Sequence, residues 1–124
     1  MKYAFTFLLA LVCQLSFAQQ ITYRQWQEEA KTEIRLLPEY GHVTKSQEQK
    51  KADQELIQAE ILQEGTPRKA SDHLITLGFN NLYSGDLRTA MYRFNQAWLV
   101  DPTNANVYWG FGAIYFTFNE VNTA

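Results

Sequence analysis

The side chains in this chain that could do chemistry are few and scattered. His42 and His73 are the two histidines, Cys13 is the one cysteine, and Ser71, Asp72 and His73 stand side by side. A metal site on a helix needs a further His, Cys or carboxylate one turn along, and neither histidine has one three or four residues downstream. Consecutive residues on a helix project to different sides, so Ser71, Asp72 and His73 make no catalytic triad, which is a spatial constellation. Gly110-Phe-Gly112 is no phosphate loop, because it falls within a helical pattern rather than between a strand and a helix. No metal, no cofactor and no enzyme activity are expected of this chain. Binding is the chemistry that remains.

Length and composition narrow the class. At 124 residues there is room for one small domain. With 15% aromatic and 19% charged residues the balance is that of a globular chain. A net charge of -2 argues against nucleic acid or an anionic membrane as partner.

Residues 1–18, MKYAFTFLLALVCQLSFA, carry one basic residue at Lys2, an apolar core from Tyr3 to Val12, and small residues at Ser16 and Ala18. That is the layout of a secretory signal peptide cut before Gln19. The apolar run is shorter than the ~20 residues of a bilayer span. The protein is therefore expected to be exported, periplasmic or extracellular, and free of the membrane once cleaved. Cys13 opens an alternative, a lipoprotein lipidated on that cysteine, but bulky Val12 stands where such signals want a small residue. Ordinary cleavage is favoured. It removes the chain's one cysteine and, with Lys2, shifts the net charge from -2 to -3.

The rest reads as helices. Thr22 and Gln25 have capping-box spacing, and Tyr23, Trp26, Ala30, Ile34 and Leu37 form one apolar stripe up to Pro38, which ends the helix. Residues 38–46 read as a loop. A polar, mixed-charge helix follows over residues 46–64, with only Ala52, Leu56 and Ala59, and secondarily Ile57, Ile61 and Leu62, to bury, then Gly65 as C-cap and Thr66-Pro67 as the start of the next helix. Leu74, Leu77, Gly78 and Leu82 share one face of that helix, which breaks at Ser84-Gly85. Asp86 caps a helix with Leu87, Ala90, Met91, Phe94, Ala97 and Trp98 inward; Asp101-Pro102 ends it, and Asn104 caps a last helix running through Phe118.

From residue 71 onward this pattern resembles the tetratricopeptide repeat, W-x2-L-G-x2-Y, A-x3-F, P, with a period of about 34 residues. Leu74-x2-Leu77-Gly78, Ala90-x3-Phe94 and Pro102 match it, with Gly85-Asp86 at the turn and Ala97 beyond; Asn81 departs, standing where Tyr is usual. One period on, Leu74 maps to Tyr108, Leu77-Gly78 to Phe111-Gly112, Asn81 to Tyr115, Gly85-Asp86 to Asn119-Glu120, and Ala90 to Ala124. The wording of the region, behind its N-terminal signal, is also similar to exported repeat proteins of Bacteroidetes-type bacteria. The resemblance implies an all-α helical-hairpin solenoid: residues 19–66 an N-terminal helical region, residues 67–124 repeat-like, with one full repeat over 71–104 and a partial one over 105–124. Tyr108, Phe111, Ile114 and Tyr115 are patterned for a covering helix, so truncation relative to the relatives is expected. The rival is an edge buried in a partner or in a second copy, making a homo-oligomer.

In this family the first helix of each hairpin lines a concave groove at its second, fifth, ninth, twelfth and thirteenth positions. Here those are Asp72, Ile75, Phe79, Leu82 and Tyr83, then Asn106, Trp109, Ala113, Phe116 and Thr117. Ile75, Phe79 and Gly110 replace the basic and amide groups with which some members clamp a peptide carboxylate. The candidate binding residues Ile75, Phe79, Leu82, Tyr83, Trp109 and Phe116 make the groove aromatic, suited to an apolar peptide or amphipathic helix. The chain's own N-terminal stripe, Tyr23, Trp26, Ile34 and Leu37, would also fill it, and this self-packing is favoured over a partner site, since large exposed apolar patches are uncommon on single chains. The expected function is a non-catalytic extracytoplasmic scaffold for a protein or peptide partner, with a structural self-assembling subunit as the alternative. A regulatory end of a longer catalytic chain is the third reading.

Overall fold

Local capping chemistry sets most of the helix boundaries. The structure, a computed structural model, describes residues 20–123, so the segment expected to be a signal peptide, with Cys13, and Ala124 lie outside the described residues. The first helix, α1 (Tyr23–Ala30), opens on a full capping box: Gln25 N–H donates to Thr22 Oγ1 (3.1 Å) and Thr22 N–H to Gln25 Oε1 (2.9 Å). It does not run on to Pro38. Glu33 Oε1 accepts the Arg35 backbone N–H (3.1 Å), and this side-chain bond starts a separate 3-10 turn at Ile34–Leu36. The break rotates the apolar positions, so Trp26, Leu36 and Tyr40 are buried while Ile34 and Leu37 are only half-covered.

The segment expected as a loop from Pro38 is instead a tight left-handed turn. Glu39, Tyr40, Gly41 and His42 have φ of 55°, 57°, 64° and 54°. Left-handed backbone costs a non-glycine residue roughly 1–2 kcal/mol, so something must hold it. That something is the buried side chain of Asn95. Its Oδ1 accepts Glu39 N–H (2.8 Å), and its Nδ2 donates to the carbonyls of Arg35 and Leu37, both at 2.9 Å.

Ser46 and Gln49 form a second capping box for α2 (Gln47–Glu64), which ends at Gly65 with φ 99°. None of its residues is fully buried; Ile57 and Ile61 rest against the core and the remaining faces are solvated. Thr66 caps α3 (Pro67–Tyr83), and Gly85, at φ 87°, turns the chain into α4 (Leu87–Val100), capped by Asp86. The core lies between these two: Ala70, Leu74 and Ile75 of α3 against Leu87, Ala90, Met91, Phe94 and Ala97 of α4. A buried polar bridge fixes the next connection, with Asn104 Nδ2 donating to Ser71 Oγ (2.9 Å) and Ser71 Oγ–H to the Ala97 carbonyl (2.8 Å). The last helix, α5 (Asn106–Thr123), continues through Asn119-Glu120, where a turn was expected. No glycine stands there to take the positive φ that Gly85 supplies. Five α-helices and no strand are found among the described residues.

Phe94 is the meeting point of α3, α4 and α5. A Cβ on Gly78 would lie 2.4 Å from its ring, and a Cβ on Gly110 likewise 2.4 Å from it. Confined between two backbones, the ring has nowhere to swing. Gly112, two residues further along and so on the opposite side of α5, has nothing within 4 Å of an added Cβ. Gly110→Ala should therefore lower the unfolding free energy by about 1–3 kcal/mol through overpacking. Gly112→Ala should raise it by about 0.5–1 kcal/mol by stiffening the helix. Urea unfolding midpoints of the two variants check this, and equal shifts would contradict it.

Candidate interaction surface

One side of α5 is packed and the other is open. Val107, Phe111, Ile114 and Phe118 are buried, as their three- and four-residue spacing requires. The N-terminal helix covers part of that side: the Trp26 ring sits 5.2 Å from Phe118 edge-on, and Tyr23 lies 5.3 Å from Phe118. On the open side, Ala105, Tyr108, Trp109, Gly112, Ala113 and Phe116 line a groove of about 540 Å³. Tyr108 is 51% exposed, Trp109 76% and Phe116 62%. Small residues floor the groove and three aromatic rings wall it. It carries no charged side chain.

The rim is tied to the left-handed turn. Tyr108 Oη–H donates to Glu39 Oε1 (2.8 Å), and His42 Nε2 lies 2.9 Å from Glu39 Oε2. The hydrogen bond to the Glu39 carboxylate holds the Tyr108 phenol above its usual range, with partial burial adding to the effect. Behind the turn, burial, aided by the Asp53 charge, pushes the Tyr40 phenol up to about 12, so it stays neutral. The Lys45 ammonium stacks on the Tyr40 ring, 3.3 Å from its centroid, and pairs with Asp53. The larger hollow beside α2, about 640 Å³, therefore offers no free lysine: Lys45 is committed to Asp53, and Arg35 to Glu33.

The six residues singled out from sequence do not share one surface. Trp109 and Phe116 come together in the α5 groove. Phe79 is half-buried, with its ring 5.1 Å from Phe94, and pairs at 6.0 Å with Tyr83, which is exposed. Leu82 is partly buried against the core. Ile75, expected to face an open groove, is buried at 9% exposure because the core closes over that face of α3. The N-terminal stripe packs on Phe118 rather than on Trp109 or Phe116. Tyr108, patterned in the sequence for a covering helix, instead lines the groove, and the carboxylate beside His42 is Glu39, three residues upstream rather than downstream.

The remaining chemistry-bearing residues are occupied. Ser71 donates to a carbonyl, Asp72 accepts from Asn104 (2.9 Å), and His73 lies 3.8 Å from Glu64, so the three neighbours face three different partners. Among the described residues there is no cluster of three His, Cys, Asp or Glu that could hold a metal ion, and no helix long and apolar enough to cross a membrane. No protein-family profile, curated protein or solved structure matches the chain.

Asn95→Ala removes all three bonds that hold the left-handed turn. We expect it to cost about 2–3 kcal/mol in urea unfolding, from unpaired polar groups and released strain. Amide exchange at Glu39 should accelerate in the same variant. Tyr108→Phe removes one exposed hydrogen bond and should cost less than about 1 kcal/mol.

Proposed function

We propose that this protein is a non-catalytic interaction scaffold of tetratricopeptide-repeat type that holds a peptide or helix in the α5 groove. The carrying observation is that groove: Tyr108, Trp109 and Phe116 stand open around Gly112 on a helix whose other side is packed. Rings of this size bury ~150–250 Å² each when covered, and single chains rarely leave such patches in water without use. The repeat reading is supported by the packing of Gly78, Ala90, Phe94 and Ala97, where small residues on two helices admit one aromatic. The signal-like segment at residues 1–18 supports a periplasmic or extracellular site of action. A second reading, self-assembly through the same face, draws on the same exposed rings.

Light scattering of residues 19–124 across a concentration series separates the two. A monomer at every concentration supports a foreign partner; a dimer that disappears in the Trp109→Ala/Phe116→Ala variant supports self-assembly. The double substitution should move Tm by less than about 4 °C, the equivalent of under ~1 kcal/mol in a domain of this size. A larger loss would mean the rings are internal packing, and would overturn both readings.

A further inference from the structure

The open face of α5 has a covered counterpart in the same chain. One repeat period earlier, ~34 residues back, Ala105, Tyr108, Trp109 and Gly112 correspond to Ser71, Leu74, Ile75 and Gly78 of α3. All four of those are buried. Leu74 is 0% exposed where Tyr108 is 51%, and Ile75 9% where Trp109 is 76%. At the centre of the α3 set, the cover is α4: the Phe94 ring occupies the space a Cβ on Gly78 would take, while Ala90 and Ala97, one turn to either side, are fully buried. At Gly112 that space is empty. The chain thus displays both the seat and, elsewhere, what fills such a seat.

We propose that the α5 groove receives a single amphipathic helix of a partner protein carrying the pattern small-x3-Phe-x2-small, as in Ala90, Phe94 and Ala97, with the Phe ring seated on Gly112 between Tyr108 and Phe116. This rests on the reading of the groove as an interaction surface, and it names the partner's chemistry. The available area favours one helix over a second copy of the chain. At ~150–250 Å² per aromatic side chain, the exposed parts of Tyr108, Trp109 and Phe116 amount to roughly 300–450 Å². A stable dimer of standard size buries about 800 Å² on each partner. A folded second copy also has no free α4 to offer, since its Phe94 is already enclosed. With no charge in the groove lining, the contact is apolar, so binding is insensitive to salt.

The probe is a synthetic peptide of residues 86–102, DLRTAMYRFNQAWLVDP, titrated by calorimetry into the protein as the cell produces it. Binding is expected, unchanged between low and high salt. Phe94→Ala in the peptide should weaken it by about tenfold or more, as loss of a central aromatic anchor does, and Gly112→Leu in the protein should weaken it equally. Circular dichroism confirms that the Gly112→Leu chain is folded. As a second route, a benzophenone at peptide position 94 should cross-link to α5 near Gly112. Peptide binding that ignores Gly112→Leu but is lost in the Trp109→Ala/Phe116→Ala variant would overturn the Gly112 seat while keeping the groove as an interaction surface. Absence of binding together with dimerisation that the double variant abolishes would overturn the helix partner in favour of a second copy. Absence of both would overturn the small-x3-Phe-x2-small helix as the occupant; the scaffold reading falls with it only where Trp109→Ala/Phe116→Ala also lowers Tm by more than about 4 °C, the mark of internal packing.

Discussion

A single phenyl ring caught between two glycine backbones holds three of the five helices in register. Phe94 of α4 lies against Gly78 of α3 and Gly110 of α5, each so close that a methyl group on either would collide with it. Such an approach brings helix axes nearer than ordinary side chains allow, and it fixes where along their lengths the helices cross. Ala70, Ala90 and Ala97, all fully buried, continue the same close contact. The polar bridge from Asn104 through Ser71 to the Ala97 carbonyl then fastens the far end of the hairpin. Apolar burial supplies the bulk of the stabilisation here, and the glycines decide its geometry.

Most of this was legible in the sequence, because the rules that set it are local. Thr22, Ser46, Thr66 and Asp86 cap helices where their spacing says they should, and Gly65 and Gly85 take the positive φ that ends a helix or turns the chain. What misled was the region controlled from a distance. The apolar stripe through Ile34 and Leu37 reads as continuous helix, yet the chain there is shaped by Asn95, whose amide grips carbonyls and an N–H across the fold. An asparagine in a helix looks like a surface residue when only its neighbours are considered. Ile75 failed for a related reason: its position on the helix was right, but its burial depends on what packs there from elsewhere.

The N-terminal region has a distinct place in this architecture. Trp26 and Tyr23 close over Phe118, and the Arg88 guanidinium holds the Glu29 carboxylate through two hydrogen bonds (2.6 and 2.8 Å), tying α1 to α4. The Glu29 carboxyl is held below its usual range by that bond. One flank of α5 is thus satisfied within the chain, while the flank bearing Trp109 is left to water. Packing that stops at a line along one helix gives that helix two environments, and the aromatic residues sit on both sides of it.

The left-handed turn at residues 39–42 also ties two distant parts of the sequence together. Its backbone is disfavoured in isolation, and the group that makes it tolerable is reached only across 56 to 60 residues of sequence. Closing a loop of that length carries an entropic cost that contacts between near neighbours do not. The shape of residues 39–42 is thus a property of the assembled fold and not of the segment alone. Whatever displaces the Asn95 amide in α4 is felt at Glu39, and through the Glu39 carboxylate at the Tyr108 rim of the groove.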